Sequence, residues 1–192
     1  MTGPSDGGKL TTLPRVPRQA VACVAVSALY IWAYFMTATL VMPLQQALFP
    51  STIMSFLFLP HGVRVLAAWL YGWRSILFLL PGALLCNLHF AGDRAFDRDI
   101  LFGTAASLIA APLAFAIGRS LGGAALLRVG VLRAPTLVAL GIAASVFNLL
   151  ALRLSYGLKP SEGVVILIGD TLGLVTALVI VWLGLKLLAR RA

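Results

Sequence analysis

The sequence predicts an all-α protein, a polytopic transmembrane bundle of about six spans with both termini on the cytoplasmic side. Three observations lead there. The 192 residues are 60% hydrophobic and 11% charged, against about 45–50% and about 25% in soluble domains, and mean hydropathy is +0.99. The apolar residues gather into runs about as long as the roughly 20 residues a spanning helix needs. The basic residues fall on alternate connections. Such a chain lacks the polar residues to cover a soluble surface, which argues against a soluble enzyme, a disordered chain and a disulfide-stapled secreted domain.

Taken in order, residues 1–19 are rich in Gly, Pro and Thr and read as a disordered cytoplasmic tail, leaving 20–192 as the membrane domain. The first span is 20–42, ended by Pro43; it exceeds the roughly 7–15 residues of a secretory signal's apolar core and reads as a retained anchor. The second is 51–73, with Pro60-His61-Gly62 inside it, and the third is 75–92. A polar loop from Asp93 to Asp99 precedes the fourth at 100–121. A basic connector, Gly122 to Arg133, leads to the fifth at 134–155, and Gly157 to Gly163 separates it from the sixth at 164–186. Barrel strands would be about ten residues long with alternating polarity; these runs are apolar on every face.

With the N-terminus inside, the cytoplasmic segments hold Lys9, Arg15, Arg18, Arg74, Arg119, Arg128, Arg133, Lys186, Arg190 and Arg191. The other side holds Arg94, Arg98 and Lys159, among Asp93, Asp97, Asp99 and Glu162. The excess of Lys and Arg on one side sets orientation, so the net charge of +9 reflects topology. No basic stripe interleaves with aromatics, so nucleic acid is not an expected partner. The expected location is an inner (cytoplasmic) membrane.

Spans four to six carry small residues four apart: Ala106, Ala110, Ala114, Gly118 and Gly122, then Gly141/Ser145 and Gly169/Gly173. Small residues let helix backbones approach where lipid supplies no hydrophobic drive, so Gly118, Gly122, Gly141, Gly169 and Gly173 are expected packing positions. Cys23 and Cys86 have neither Cys-x-x-Cys nor metal-ligand spacing, and read as small buried apolar residues.

The informative residues are polar ones inside spans: His61, Arg64, Asn87, His89, Asn148, Arg153 and Asp170. A charge at mid-bilayer costs about 2.5–3.5 kcal/mol on insertion scales, so each must face protein or water and find a partner. At about 1.5 Å per residue from the outer span ends, Asn87 and His89 lie shallow, Asp170 and Asn148 about 10 Å in, His61 about 15 Å and Arg64 about 20 Å. That asymmetry predicts a polar pocket opening outward, able to take a small-molecule ligand. Arg64–Asp170 is the expected ion pair, with Arg153–Asp170 as its rival; such a pair would also serve simply to lock two helices. Pro60 and Gly62 suggest a broken helix whose free N–H groups face an anion.

No Gly-x-Ser-x-Gly, His-Glu-x-x-His, phosphate loop or paired carboxylates occur. Catalysis, a metal site and a cofactor are therefore not expected.

Pro60-His61-Gly62, the stretch Val63 to Leu70, Tyr71-Gly72-Trp73-Arg74 and Pro81-Gly82-Ala83-Leu84-Leu85 resemble the opening of the bacterial MASE1 membrane-associated sensor domain. Gly169-Asp170-Thr171-Leu172-Gly173 is similar to that family's late Gly-Asp-x-x-Gly element. The resemblance implies sensing or ligand binding in signal transduction, without naming the ligand. Members of the family have more helices and feed a cytoplasmic kinase or cyclic-dinucleotide domain. A chain ending near the sixth span would need a separate protein partner. Size and outward pocket also resemble the substrate-binding subunit of vitamin-type energy-coupling transporters, although Ala22, Ala25 and Ala28 are three apart where those subunits place alanines four apart. A third class is an accessory subunit of a larger membrane complex.

Reporter fusions at Lys159 and at Ala192 are expected to report opposite sides of the membrane. The same side for both would refute the six-span reading.

Overall fold

The computed structural model describes residues 17–48, 55–122 and 134–190. Of the expected features, most of the N-terminal tail, the start of the second span and the connector 123–133 with its two arginines lie outside the described residues. Among those described, the elements are helices and no strand occurs. They are α1 (Arg18–Met36), a π turn (Thr37–Val41), α2 (Met42–Leu48), α3 (Leu59–Tyr71), α4 (Arg74–Ala91), a 3₁₀ turn (Gly92–Phe96), α5 (Arg98–Gly122), α6 (Ala134–Tyr156) and α7 (Pro160–Ala189). Among the described residues, five helical stretches are long and apolar enough to cross a membrane: Arg18–Leu48, Arg74–Phe96, Arg98–Leu121, Ala134–Tyr156 and Pro160–Ala189.

Two boundaries correct the expectation. Helix starts at Arg18, and the first span continues through Pro43 to Leu48. Proline cannot donate to the carbonyl four residues back and crowds it, but Pro43 follows the wide π turn, where Met42 N–H reaches back to the Thr37 carbonyl. The turn absorbs the mismatch, so the proline does not end the helix.

The second expected span, 51–73, is helical only from Leu59 to Tyr71. Thirteen residues rise about 20 Å, short of the roughly 30 Å apolar layer. Pro60 occupies the first turn, where no backbone bond is lost, so it starts a helix and breaks none. Gly62 likewise provides room, not a bend. A Cβ there would lie 2.5 Å from Ala177 Cβ and 2.9 Å from the Gly173 carbonyl oxygen.

The segment leading into α3 is extended, and the backbone donors from Phe56 to Leu59 are met. Phe56 N–H donates to Gln45 Oε1 at 2.7 Å and Leu57 N–H to Ser55 Oγ at 3.2 Å. Phe58 N–H donates to the Gly169 carbonyl at 2.9 Å and Leu59 N–H to Thr37 Oγ1 at 3.3 Å. Gly169 and Gly173 are what let this backbone approach: a Cβ on either would overlap the Ser55 or Phe58 carbonyl. Their spacing thus serves helix-to-segment contact, where helix-to-helix contact was expected. Gly141 does pack helix to helix, its α-carbon facing Leu174. Gly118 is half-buried near the end of α5, which closes at Gly122.

A second proline is accommodated by a neighbouring helix. Pro81 inside α4 leaves the Leu77 carbonyl without its helical partner, and the Cys23 thiol of α1 lies 3.9 Å from that oxygen. Ser27, one turn on, donates to the Phe78 carbonyl at 2.7 Å and accepts from Gly82 N–H at 3.3 Å. Gly82 has room for no Cβ against the Ser27 backbone. One core cluster fills the α1, α3 and α4 contact with Tyr30, Ala33, Val63, Leu79, Ala83 and neighbours. Another fills the space between α3, α5, α6 and α7 with Val65, Phe115, Ala144 and Leu174 among others.

Gly173→Ala is expected to lower Tm, since overpacking costs about 1–3 kcal/mol and the obstructing atom is backbone. Gly184→Ala on the same helix meets nothing within 4 Å and gains about 1 kcal/mol of helix propensity. Thermal denaturation of both variants in one detergent checks the contrast.

Candidate functional site in the bundle interior

Helix α3 places His61 and Arg64 three residues apart, hence on one face, and directs that face at α6 and α7. Both are buried, at 2% and 3% exposure, and Asp170 of α7 meets them at 2%. Asp170 Oδ2 lies 3.4 Å from His61 Nδ1, and Oδ1 lies 3.9 Å from Arg64 Nη2. Ser145 of α6 donates its hydroxyl to Oδ2 at 2.6 Å, the shortest contact of the cluster. Arg64 also places Nη2 3.4 Å from His61 Nδ1 and donates from Nη1 to the Ser107 carbonyl of α5 at 3.3 Å. Its guanidinium carbon stands 5.6 Å from the Phe58 ring centroid, within cation–π range.

The tautomer of His61 follows from its neighbours. Nε2 is 3.1 Å from the Gly141 carbonyl, which can only accept, so Nε2 carries the proton. Nδ1 of the neutral ring then accepts from Arg64. Ser145, His61 and Asp170 are the residue types of a hydrolytic triad, yet the wiring differs. The serine hydroxyl donates to the aspartate, and the far imidazole nitrogen is held by backbone. Nucleophile activation needs the hydroxyl on the imidazole, so this trio is not arranged for it. The broken helix aimed at an anion is not what forms: α3 starts normally at Leu59, and Asp170 meets the side chain of first-turn His61.

Two adjoining cavities border the cluster. The larger, about 560 Å³, is lined mostly by apolar groups including Ala38, Met42, Phe58 and Ile166, with Asp170 on its wall. The smaller, about 390 Å³, is the more polar and takes in Arg64, Asn87, Thr104 and Ser107. Tyr34, Phe58, Asn148, Leu152 and Tyr156 line both. Volumes of about 300–1,000 Å³ are those of small-molecule sites. The lining reaches Ala91 and Ile100 on one side and Leu158 on the other, so the cavities lie toward the end of the bundle where the 92–98 and 157–159 loops sit.

The predicted polar residues separate into groups. His61, Arg64 and Asp170 come together. Asn148 is buried on the shared wall, and its Oδ1 has no partner among the described residues. Asn87 lines the smaller cavity and donates to Thr104 Oγ1 at 2.9 Å. His89 and Arg153 do not join them. His89 is exposed in the last turn of α4 and packs on the Phe35 and Phe90 rings, each with its centroid 4.8 Å away. Arg153 is exposed in the last turn of α6, where a cation suits the helix dipole, and the rival Arg153–Asp170 pair does not form.

Ser145, Ser107 and Thr104 are site residues that sequence reasoning missed. A signal existed for the first: Gly141, Ser145 and Asn148 fall at i, i+4 and i+7 of α6, one polar face on an otherwise apolar helix. No family model, curated protein or solved structure matches the chain.

Asp170→Ala strands Arg64 in the interior and is expected to cost about 3–5 kcal/mol. Ser145→Ala should cost about 1.5–3 kcal/mol, as for a hydrogen bond to a charged group, and Arg153→Ala should leave Tm unchanged. Unfolding of the three variants in one detergent tests the ranking; equal Tm for Asp170→Ala and wild type would remove the ion pair.

Proposed function

We propose that the protein is a multi-pass inner-membrane module that binds a small molecule in the interior cavities and passes that state to a separate protein partner, as a MASE1-like sensor would. One observation carries the reading: a buried Arg–His–Asp cluster stands against cavities larger than helix packing requires, with Asn148 Oδ1 unpartnered among the described residues on their common wall. An ion pair that only locked two helices would need neither the space nor the orphaned amide.

In this reading α3, with the extended segment before it, supplies the sixth crossing and returns the C-terminus to the cytoplasm. Support comes from helix directions. Tyr156 at the end of α6 donates to the Asp99 carbonyl at the start of α5, so those two run antiparallel. Leu59 and Gly62 lie against Gly173 and Ala177, so α3 runs parallel to α7. The cavities then open on the outer side. The wiring of Ser145 and His61 favours binding over catalysis.

Native mass spectrometry of the protein released from its own membranes tests this. A single small-molecule adduct is expected, and Ala38→Phe, which takes up part of the larger cavity, should displace it. An adduct retained by Ala38→Phe, or absent from the wild type, would overturn the reading. Co-purification of an ATPase pair in place of a kinase or cyclase would move the module from sensing to transport.

A further inference from the structure

We infer that the interior site takes an amphipathic organic anion, its anionic head against Arg64 in the smaller cavity and its apolar body in the larger; this rests on the ligand-binding reading above. The two charges of the cluster are unequally satisfied. Asp170 accepts from the Ser145 hydroxyl at 2.6 Å and lies 3.9 Å from Arg64, with the unprotonated His61 Nδ1 3.4 Å away. A guanidinium has five N–H donors, and those of Arg64 are poorly used. Its nearest partners stand at 3.3 to 3.9 Å, and Nε, fully buried, has none among the described residues. Arg64 therefore keeps donor capacity for a further acceptor, Nε above all.

The surroundings agree with an anionic head. Thr104 accepts from Asn87, which leaves its own hydroxyl proton to donate, and Thr104 lines the same small cavity as Arg64. Bonds from charged or hydroxyl donors to a carboxylate are about twice as strong as neutral ones. The larger cavity has the wrong lining for a head and the right one for a body: Met42, Phe58, Leu152 and Ile166 surround it. Asn148 lies where head and body would join, so a polar linkage at that point would meet its orphaned atom.

Three probes of one shape decide the class: N-(4-fluorobenzoyl)glycine, its uncharged primary amide, and the cationic N-(2-aminoethyl)-4-fluorobenzamide. Each carries an aryl body and an amide linkage, and only the head charge differs. Binding to the full chain in nanodiscs is read by ¹⁹F NMR. The carboxylate is expected to bind saturably and at least about tenfold more tightly than the amine, a difference of about 1.4 kcal/mol. Arg64→Gln alone strands Asp170, so the charge-balanced double variant Arg64→Gln/Asp170→Asn is the comparison, and it should lose the preference for the carboxylate.

Equal or tighter binding of the amine or the amide would overturn the anion assignment while leaving the cavity a binding site. Carboxylate binding unchanged in the double variant would overturn Arg64 as its recogniser. Saturable binding of none of the three would overturn both the anion and the ligand-binding reading.

Discussion

Inside a bilayer, a backbone N–H that finds no acceptor within the protein finds none at all, and each such group costs several kcal/mol. Beginning α3 in the bundle interior concentrates that difficulty in residues 56–59. Leu57 is met within the segment by Ser55, and the other three are met from elsewhere: Gln45 of α2, Thr37 of the π turn, and the Gly169 carbonyl of α7. The wide turn at Thr37–Val41 is tied to the same demand. Thr37 donates to the Ala33 carbonyl at 3.0 Å while accepting from Leu59, so one hydroxyl links two irregular stretches. The glycines of α7 follow, since only their missing side chains let the extended segment reach that helix.

The buried charges sit at this irregular start for the same reason. His61 and Arg64 lie in the first turns of α3, where the backbone's positive end favours a carboxylate, and Asp170 lies one residue from the glycine that receives Phe58. Segment, helix end and ion cluster thus form one unit, walled on its open side by the two cavities. Phe58 belongs to all of it: backbone bonded to α7, ring beneath Arg64, and a face on each cavity.

Much of the architecture was legible in sequence because lipid imposes a simple rule on composition and run length. The long helices fall within a few residues of the apolar runs, except where a proline was read as a stop. Pro43 and Pro60 carry the same local signal, and tertiary partners decide its meaning: a π turn absorbs one, and a helix start uses the other. The charged cluster was legible through Arg64 and Asp170, since hydrocarbon excludes unpaired charge. Arg153 and His89 were grouped with the interior polar residues because run length alone does not locate the helix end to within a turn. Ser145, Thr104 and Ser107 were hidden because a hydroxyl on an apolar helix satisfies itself as readily on its own backbone as on a distant carboxylate.

The bond from Phe58 to Gly169 joins an early part of the chain to its last helix. During synthesis, α1 and α3 are made before α7. Until α7 arrives, the extended segment has lost a main-chain acceptor, and His61 and Arg64 face no counter-ion. The start of α3 and its two basic side chains thus depend on partners that the chain makes more than a hundred residues later. The final helix acts as a keystone, and the interior site comes into being only when it is set.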